Sequence, residues 1–277
     1  MSKFKIIVDS SSNMTEEDFT EKDIGFSVVP LSLFVDGKEY IDSDLDVASF
    51  MKEASLTDSR VSTACPAPGA YLKEFTGADN YIVITLSSKV SGSYNSAFAA
   101  KGLAEHPENI LVLDSMGAGG SLELLVEDAV AYIHQGKSLS EIEQLLSKDR
   151  EDDNLLFSLE KYDSLIKAGR VSKFIAMVAK MMRIHPLGFA DKGTIAIKEK
   201  LHTIDGVLKR MVFHISNFVK GTKDRICIIS HTFNEEAAKK LKERLESLHE
   251  FKKIIIRKNQ GLVSYYGSDK ALLVSYN

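Results

Sequence analysis

The sequence predicts an α/β protein with two domains, a parallel sheet in the first and a mainly antiparallel sheet in the second. In the first half, short β-branched runs alternate with helical patterns, which is typical of a parallel sheet covered by helices. After a charged run at residues 148–153 the spacing of the apolar runs becomes irregular, which favours an α/β domain with antiparallel pairing. We therefore predict an N-terminal domain at residues 1–152 and a C-terminal domain at residues 153–277.

The predicted strands of the first half end in Asp, Ser or Gly, residues that stop strands and begin turns. They are FKIIVDS, FSVVPLSLFV, YIVITLS and ILVLDS, and helical patterns follow at residues 46–54, 67–76, 94–104 and 122–135. Open α/β sheets bind ligands beyond the carboxyl ends of their strands. The polar strand ends at Asp9, Ser87 and Asp114 are therefore expected to converge on one site.

The second half begins with a predicted helix at residues 161–169 and an apolar segment at residues 174–182. Further along the chain we predict strands at 184–190, 194–200, 225–230, 252–258 and 271–276, with helices at about 206–219 and 235–248. The apolar segment is rich in methionine and small residues, which suit either an adaptable ligand cavity or a plain core helix.

Composition excludes several functional classes. The net charge of -4 leaves no basic surface for a nucleic acid backbone. No apolar stretch approaches the roughly 20 residues of a membrane span, and the N-terminus does not resemble a signal sequence. Two cysteines, Cys65 and Cys227, make neither a disulfide framework nor a cysteine-rich metal site. We expect a cytoplasmic monomer without integral membrane association, metal or cofactor.

The motifs argue against two kinds of chemistry and leave a third open. The glycines in VLDSMGAGGSLELL lack the third glycine and the following acid of a dinucleotide site. Asp9 lacks a second aspartate two positions later that would hold magnesium for phosphoryl transfer, because Ser11 stands there. A hydrolase or acyltransferase with Cys65 or a serine as nucleophile needs a base, and none of the seven histidines lies in a recognisable motif. That enzyme class remains the alternative.

The stretch VITLSSKVSGSYNSA carries many hydroxyls at the end of a strand and the start of a helix. Hydroxyls and unpaired backbone N–H groups at a helix N-terminus, with no base beside them, suit an anion that is held and not attacked. A carboxylate needs two or three such donors. We expect Ser87, Ser88 and Ser96 of this stretch to be capping or solvated residues.

Six blocks together resemble the DegV family over nearly the whole chain. They are VDSSSN, VVPLSLFVDGKEYIDSDLD, VSTACPAPGAYLKEF, LSSKVSGSYNSA, LDS and LIKAGRVSK, in family order and spacing. The resemblance implies a two-domain α/β DegV-like fold that encloses one long-chain fatty acid. It also implies that the protein does no chemistry itself but presents the carboxyl group to a separate fatty acid kinase, which makes the acyl phosphate.

The resemblance also assigns site residues. Thr63 and Ser91 match the two hydroxyls that hold the carboxylate, with Gly92 and Ser93 as backbone donors. Ser62, of the same Ser-Thr pair, is included among the ligand-binding residues. Cys65 then becomes a neighbour of the site.

Two further positions come from the resemblance, one matching the family and one departing from it. Arg170, expected on the surface after a helix that ends at Gly169, matches an arginine implicated in contact with the kinase. Relatives carry a carboxylate-holding histidine followed by Gly-Pro-Gly near the C-terminus. Here Tyr266 stands closest to the histidine, and residues 268–270 read Ser-Asp-Lys. Either the tyrosine hydroxyl substitutes, or the ligand or its handling by a kinase differs.

Overall fold

The computed structural model describes residues 2–56, 60–171, 184–219 and 221–277. The apolar segment predicted at 174–182 lies outside these residues. The elements of the first half are β1 (Ser2–Asp9), β2 (Gly25–Val29), β3 (Ser32–Val35), β4 (Lys38–Ile41), α1 (Val47–Leu56), β5 (Val61–Ala64), α2 (Pro68–Glu74), β6 (Ala78–Thr85), α3 (Ser93–Leu103), β7 (Ile110–Asp114), α4 (Gly120–His134) and α5 (Leu139–Asp152).

The second half continues with ten elements in the described ranges. They are β8 (Asn154–Ser158), α6 (Asp163–Lys167), β9 (His185–Asp191), β10 (Thr194–Leu201), α7 (Ile204–Phe218), β11 (Ile226–His231), α8 (Glu235–Glu246), β12 (Lys253–Lys258), α9 (Gly261–Gly267) and β13 (Leu272–Tyr276).

The parallel sheet predicted for the first half is confirmed. Its strand order is β2-β1-β6-β7, and every neighbouring pair runs parallel. Both faces are covered, as the near-continuous apolar strands require. Ile6 and Ile82 pack with Leu122 of α4 on one face, while Ile7 and Val83 pack against the α2 and α3 side on the other.

The run FSVVPLSLFV is two strands in two sheets and not one strand. Pro30 has no N–H to donate to a sheet, and the chain leaves the parallel sheet there after Val29. Residues 32–35 then form the central strand of a small antiparallel sheet with the order β4-β3-β5. The short strands β4 and β5 were not predicted from the sequence, although β5 contains Thr63.

The mainly antiparallel second sheet is also confirmed. It has the order β10-β9-β8-β13-β11-β12, and only β11 and β12 pair in parallel among these strands. The charged run near residue 150 ends α5, an unpredicted amphipathic helix that begins with a capping box between Ser138 and Glu141 and buries Ile142 and Leu146. The predicted domain boundary falls between α5 and β8; the division into two domains stays a prediction.

Contacts through α4, β12 and the segment after β1 hold the two halves together. Gly120 of α4 lies so close to Ile228 of β11 that a Cβ there would be 2.7 Å from the isoleucine side chain. Arg257 of β12 forms ion pairs with the buried Glu123 and with Asp18. These contacts fix the positions of the strand ends on either side of the space between the sheets.

Candidate ligand-binding site

An apolar cavity lies between the two halves, where the carboxyl ends of the parallel strands face the second sheet. Its volume is about 130 Å³, roughly ten times the ~10–15 Å³ that a single water molecule needs. Most of the lining is aliphatic or aromatic, so the cavity suits an apolar ligand. The lining residues from the first half include Leu86, Val90, Met116 and Ala118, and those from the second include Leu155, Phe157, Leu159, Leu165, Ile195, Leu262, Val263, Tyr266 and Leu273.

The cavity residues on β8 were missed at the sequence level. Leu155 and Phe157 belong to the core beside the cavity, whereas Leu156 between them packs into the core on the other face of the sheet. This alternation is the period-two signature of a strand. The run NLLFS after the charged segment carried that signal, but it is only five residues long.

A hydroxyl pair lies beside the cavity. Tyr266 lines the cavity, and its hydroxyl oxygen lies 2.8 Å from Oγ1 of Thr63, where either group can donate the hydrogen bond. Both side chains are half-buried. The pair joins β5 of the first half to α9 of the second, so these two predicted ligand-binding residues do come together. An anion arriving here would find two hydroxyls that can donate to it, one of which now donates to the other.

Ser91 and Ser93 form a second group of donors, at the N-terminus of α3. Their hydroxyl oxygens lie 2.9 Å apart, and the backbone N–H of Ser93 donates to Oγ of Ser91 at 3.2 Å. Gly92, at the N-cap, contributes no side chain. The first N–H groups of α3 and the helix dipole therefore give this position a positive potential.

Cys65 lies against the start of α3. A Cβ placed on Gly92 would lie 2.9 Å from Sγ of Cys65, so the end of β5 and the start of α3 are in direct contact. Cys65 is exposed, two residues beyond Thr63. In the part of the chain that the structure describes, no histidine forms a hydrogen bond with Cys65, Thr63 or Ser91.

The structure separates Ser62 from Thr63 and gives other serines unexpected contacts. Ser62 is exposed, and side chains alternate along β5, so it points away from the face that carries Thr63. The expectation that Ser87 and Ser96 are capping or solvated residues is confirmed for Ser87, whose hydroxyl accepts from the backbone N–H of Lys89, and is wrong for Ser96. Ser87 is buried and donates to the carbonyl of Gly193 in the β9–β10 turn, and Ser96 donates to the carbonyl of Pro66.

Two buried aspartates support the loops around the cavity. Asp9, at the end of β1, accepts hydrogen bonds from the backbone N–H of Leu86 and from Ser11, and Asp42 accepts from Oγ of Ser10 and from the N–H of Leu262. Burial raises the pKa of both carboxyl groups to about 6, although these hydrogen bonds act in the opposite direction. Asp9 is one of the polar strand ends expected near the site, whereas no pattern in the sequence points to Asp42.

Arg170 lies where the sequence places it. The helix α6 ends at Lys167, Gly169 takes a φ of +72°, and the N–H of Arg170 donates to the carbonyl of Leu165. The arginine is exposed, and it also lies at the edge of the cavity. Arg170 therefore borders both the cavity and the solvent.

Two other features bear on the expectations from composition. Glu21, Asp23 and His134 bring potential metal-ligand atoms together away from the cavity, with Nε2 of His134 3.6 Å from a carboxylate oxygen of each acid, but the three residues are largely exposed. Within the described ranges, every helix is too short or too polar to cross a membrane.

Comparison with known proteins gives consistent matches along the chain. The family model described as "Uncharacterised protein, DegV family" matches residues 3–275. A DegV domain-containing protein of Streptococcus gordonii is 34% identical, covering 99% of this chain and 98% of that protein. The Fatty Acid Kinase (Fak) B3 protein of Streptococcus pneumoniae, solved with linoleic acid, is 32% identical with a TM-score of 0.91, over 100% of this chain and 99% of that one.

A second solved structure is similar over almost the same length. A DegV family protein from Eubacterium eligens, loaded with heptadecanoic acid, is 27% identical with a TM-score of 0.89 and covers 98% of each chain. The ligands of both structures are long-chain fatty acids.

Proposed function

Since the chain belongs to the DegV family, we propose that it binds one long-chain fatty acid and presents the carboxyl group to a separate fatty acid kinase. The observation that carries the proposal is the apolar cavity with the Thr63–Tyr266 hydroxyl pair at its side. A fatty acid has the matching chemistry, a long apolar chain that ends in one small anion. The fatty acids carried by the pneumococcal and Eubacterium eligens structures support the same ligand class.

The carboxylate is held by donors from both halves. Thr63 and Ser91 supply hydroxyls, and the N–H groups at the start of α3, with Gly92 and Ser93, add backbone donors. Each hydrogen bond to a charged group contributes about 1.5–3 kcal/mol. When the carboxylate enters, Thr63 and Tyr266 exchange their mutual hydrogen bond for bonds to the anion. Tyr266 thereby takes the place of the family histidine.

The protein acts as a carrier and leaves phosphoryl transfer to its partner. An exposed arginine at the edge of the cavity can contact a carboxylate or phosphate of the partner in a bidentate manner. Arg170 is in this position, and the name of the Fak B3 protein supports a kinase as the partner class.

A hydrolase or acyltransferase is the second candidate, because Cys65 is exposed beside the donor cluster. The two functions differ in what Cys65→Ala does. In a carrier the variant binds fatty acid like the wild type, and the wild type turns over no thioester or aryl ester. Ester hydrolysis with a burst phase that disappears in Cys65→Ala would assign the protein to the enzyme class.

The direct test is mass spectrometry of an organic extract from the purified protein. Each buried CH₂ group contributes about 0.8 kcal/mol, so we expect a bound acid with a long chain to survive purification. The expected result is one equivalent of long-chain fatty acid per chain. A protein that yields no fatty acid and also fails to bind added palmitate or oleate would refute the proposal.

A further inference from the structure

Asp42 is a buried acid that has no role in the proposed binding of a carboxylate. It follows β4 directly, and its side chain is 0% exposed. Its Oδ2 accepts a hydrogen bond from Oγ of Ser10 at 2.6 Å, and its Oδ1 accepts from the backbone N–H of Leu262 at 2.8 Å. A buried carboxylate is costly unless its partners are well placed, so these contacts restrict where the partners can lie.

The contact with Leu262 serves as the N-terminal cap of α9. The first N–H groups of a helix have no partner within it, and Gln260, at the N-cap position, gives no side-chain hydrogen bond. The carboxylate of Asp42, distant in sequence, takes over this role. The fit is close, because a Cβ on Gly261 would lie 2.8 Å from Oδ1 of Asp42 and 2.7 Å from the side chain of Leu45.

The other end of the same helix carries Tyr266, the tyrosine of the proposed carboxylate site, called the head-group site below. Tyr266 lies one turn beyond Leu262, about 6 Å further along the axis, and its hydroxyl contacts Thr63. Asp42 follows β4, Thr63 lies in β5, and both strands pair with β3. One small sheet therefore holds α9 at its start and at its end.

We propose that Asp42 is a positioning residue for the head-group site, which fixes the first turn of α9 so that the Tyr266 hydroxyl meets Thr63. Without this acceptor, the N–H of Leu262 is left buried and unpaired, and the helix start shifts towards another partner. A tilt of α9 about its first turn displaces the tyrosine hydroxyl. The identity of the ligand in this inference rests on the proposed function, whereas the contacts of Asp42 with Leu262 and of Tyr266 with Thr63 do not depend on it.

The test compares Asp42→Ala with Asp42→Asn. In the asparagine variant an amide oxygen still accepts from the N–H of Leu262 and only the Ser10 hydroxyl loses its acceptor, so the start of α9 should be held as in the wild type. The first readout is the carbon-13 NMR signal of the Tyr266 ζ carbon, assigned by its loss in Tyr266→Phe, since it reports on the hydrogen bond of that hydroxyl. Asp42→Ala should move this signal, and Asp42→Asn should leave it in place.

The second readout is the Kd for oleate, measured on delipidated protein. Asp42→Ala should raise the Kd for oleate by about tenfold, the effect of losing one hydrogen bond to a charged group. In a protein that already carries Tyr266→Phe, adding Asp42→Ala should lower the affinity for oleate little further. An unmoved Tyr266 signal, or a full additional loss of affinity in that background, would overturn the inference.

The inference stays testable if Asp42→Ala does not fold or if the wild type binds no fatty acid. If Asp42→Ala does not fold, Gly261→Ala replaces it, because the added methyl forces the helix start away from Asp42. An unmoved Tyr266 signal in that variant also overturns the inference. If the wild type binds no fatty acid, the proposed function fails, and the NMR signal alone decides whether Asp42 positions Tyr266.

Discussion

Removal of the Thr63 hydroxyl tests the carboxylate site most directly. Thr63→Val keeps the β-branched shape that suits β5 and deletes only the oxygen that lies 2.8 Å from the Tyr266 hydroxyl. In the ligand-free protein this change costs one neutral hydrogen bond between half-buried groups, about 0.5–1.5 kcal/mol of stability. In the complex it leaves the carboxylate without one donor, which costs about 1–3 kcal/mol of binding free energy.

These magnitudes predict a Kd for oleate that rises by about 5- to 150-fold in Thr63→Val. The assay is titration of delipidated protein by calorimetry, with the melting temperature measured in parallel. Ser88→Ala is the matched control, since it removes a hydroxyl from the same strand-to-helix segment at a half-buried position that we do not assign to the ligand.

The Thr63→Val/Tyr266→Phe double variant completes the cycle. Because both hydroxyls are proposed to contact one carboxylate, the double variant should lose less affinity than the sum of the single changes. A wild-type Kd in Thr63→Val, or equal losses in Thr63→Val and Ser88→Ala, would refute the assignment of Thr63 as a carboxylate donor.

Three further predictions concern the partner, a half-buried aspartate and the backbone. Arg170→Ala should keep the bound lipid and the melting temperature but lower acyl-phosphate formation with a cognate kinase. The control Lys167→Ala, also exposed and on α6, should leave acyl-phosphate formation unchanged. If Arg170→Ala loses lipid in step with acyl-phosphate formation, the arginine is structural. Burial and nearby Asp149 raise the pKa of Asp128 to about 7, so its stabilising contribution is complete below about pH 4 and is lost as the pH rises through 7. In urea unfolding Asp128→Asn should therefore gain stability over the wild type at pH 8 but not at pH 4, and an equal effect at both would contradict the pKa. Ser268 has a φ of 60° and a ψ of -179°, a region that essentially only glycine occupies, at a cost of about 1–3 kcal/mol. Ser268→Gly should have a higher free energy of unfolding than Ser268→Ala, because both variants lose the hydrogen bonds of the hydroxyl to Lys161 N–H and the Gly267 carbonyl and only glycine relieves the strain. Ser268→Ala should also be less stable than the wild type. Equal stability of the two variants, or a more stable Ser268→Ala, would show that the backbone is not strained.

The sequence by itself determined the class of the fold and the edge of the sheet that carries the site. Apolar runs such as YIVIT are buried on both faces, and they end in polar residues because the chain there leaves the core. These patterns are local, since each follows from the period of a strand or helix and from the polarity of its side chains. The surface position of Arg170 was predictable for the same reason, because the turn after α6 depends on one glycine at positive φ.

Only the tertiary structure decided which of the candidate hydroxyls meet. Thr63 and Tyr266 lie 203 residues apart, and no local pattern relates them. They meet because β5 pairs with β3, and Asp42, directly after β4, holds the start of α9 against the same small sheet. The strands of this sheet have four residues each, which gives too short an alternation to recognise. Asp42 was equally hidden, because an aspartate after a strand looks like an ordinary turn residue until the fold buries it against the first turn of a helix 220 positions later. A hydrogen bond between distant segments depends on the packing of the whole chain, and this packing is the information that a single sequence does not display.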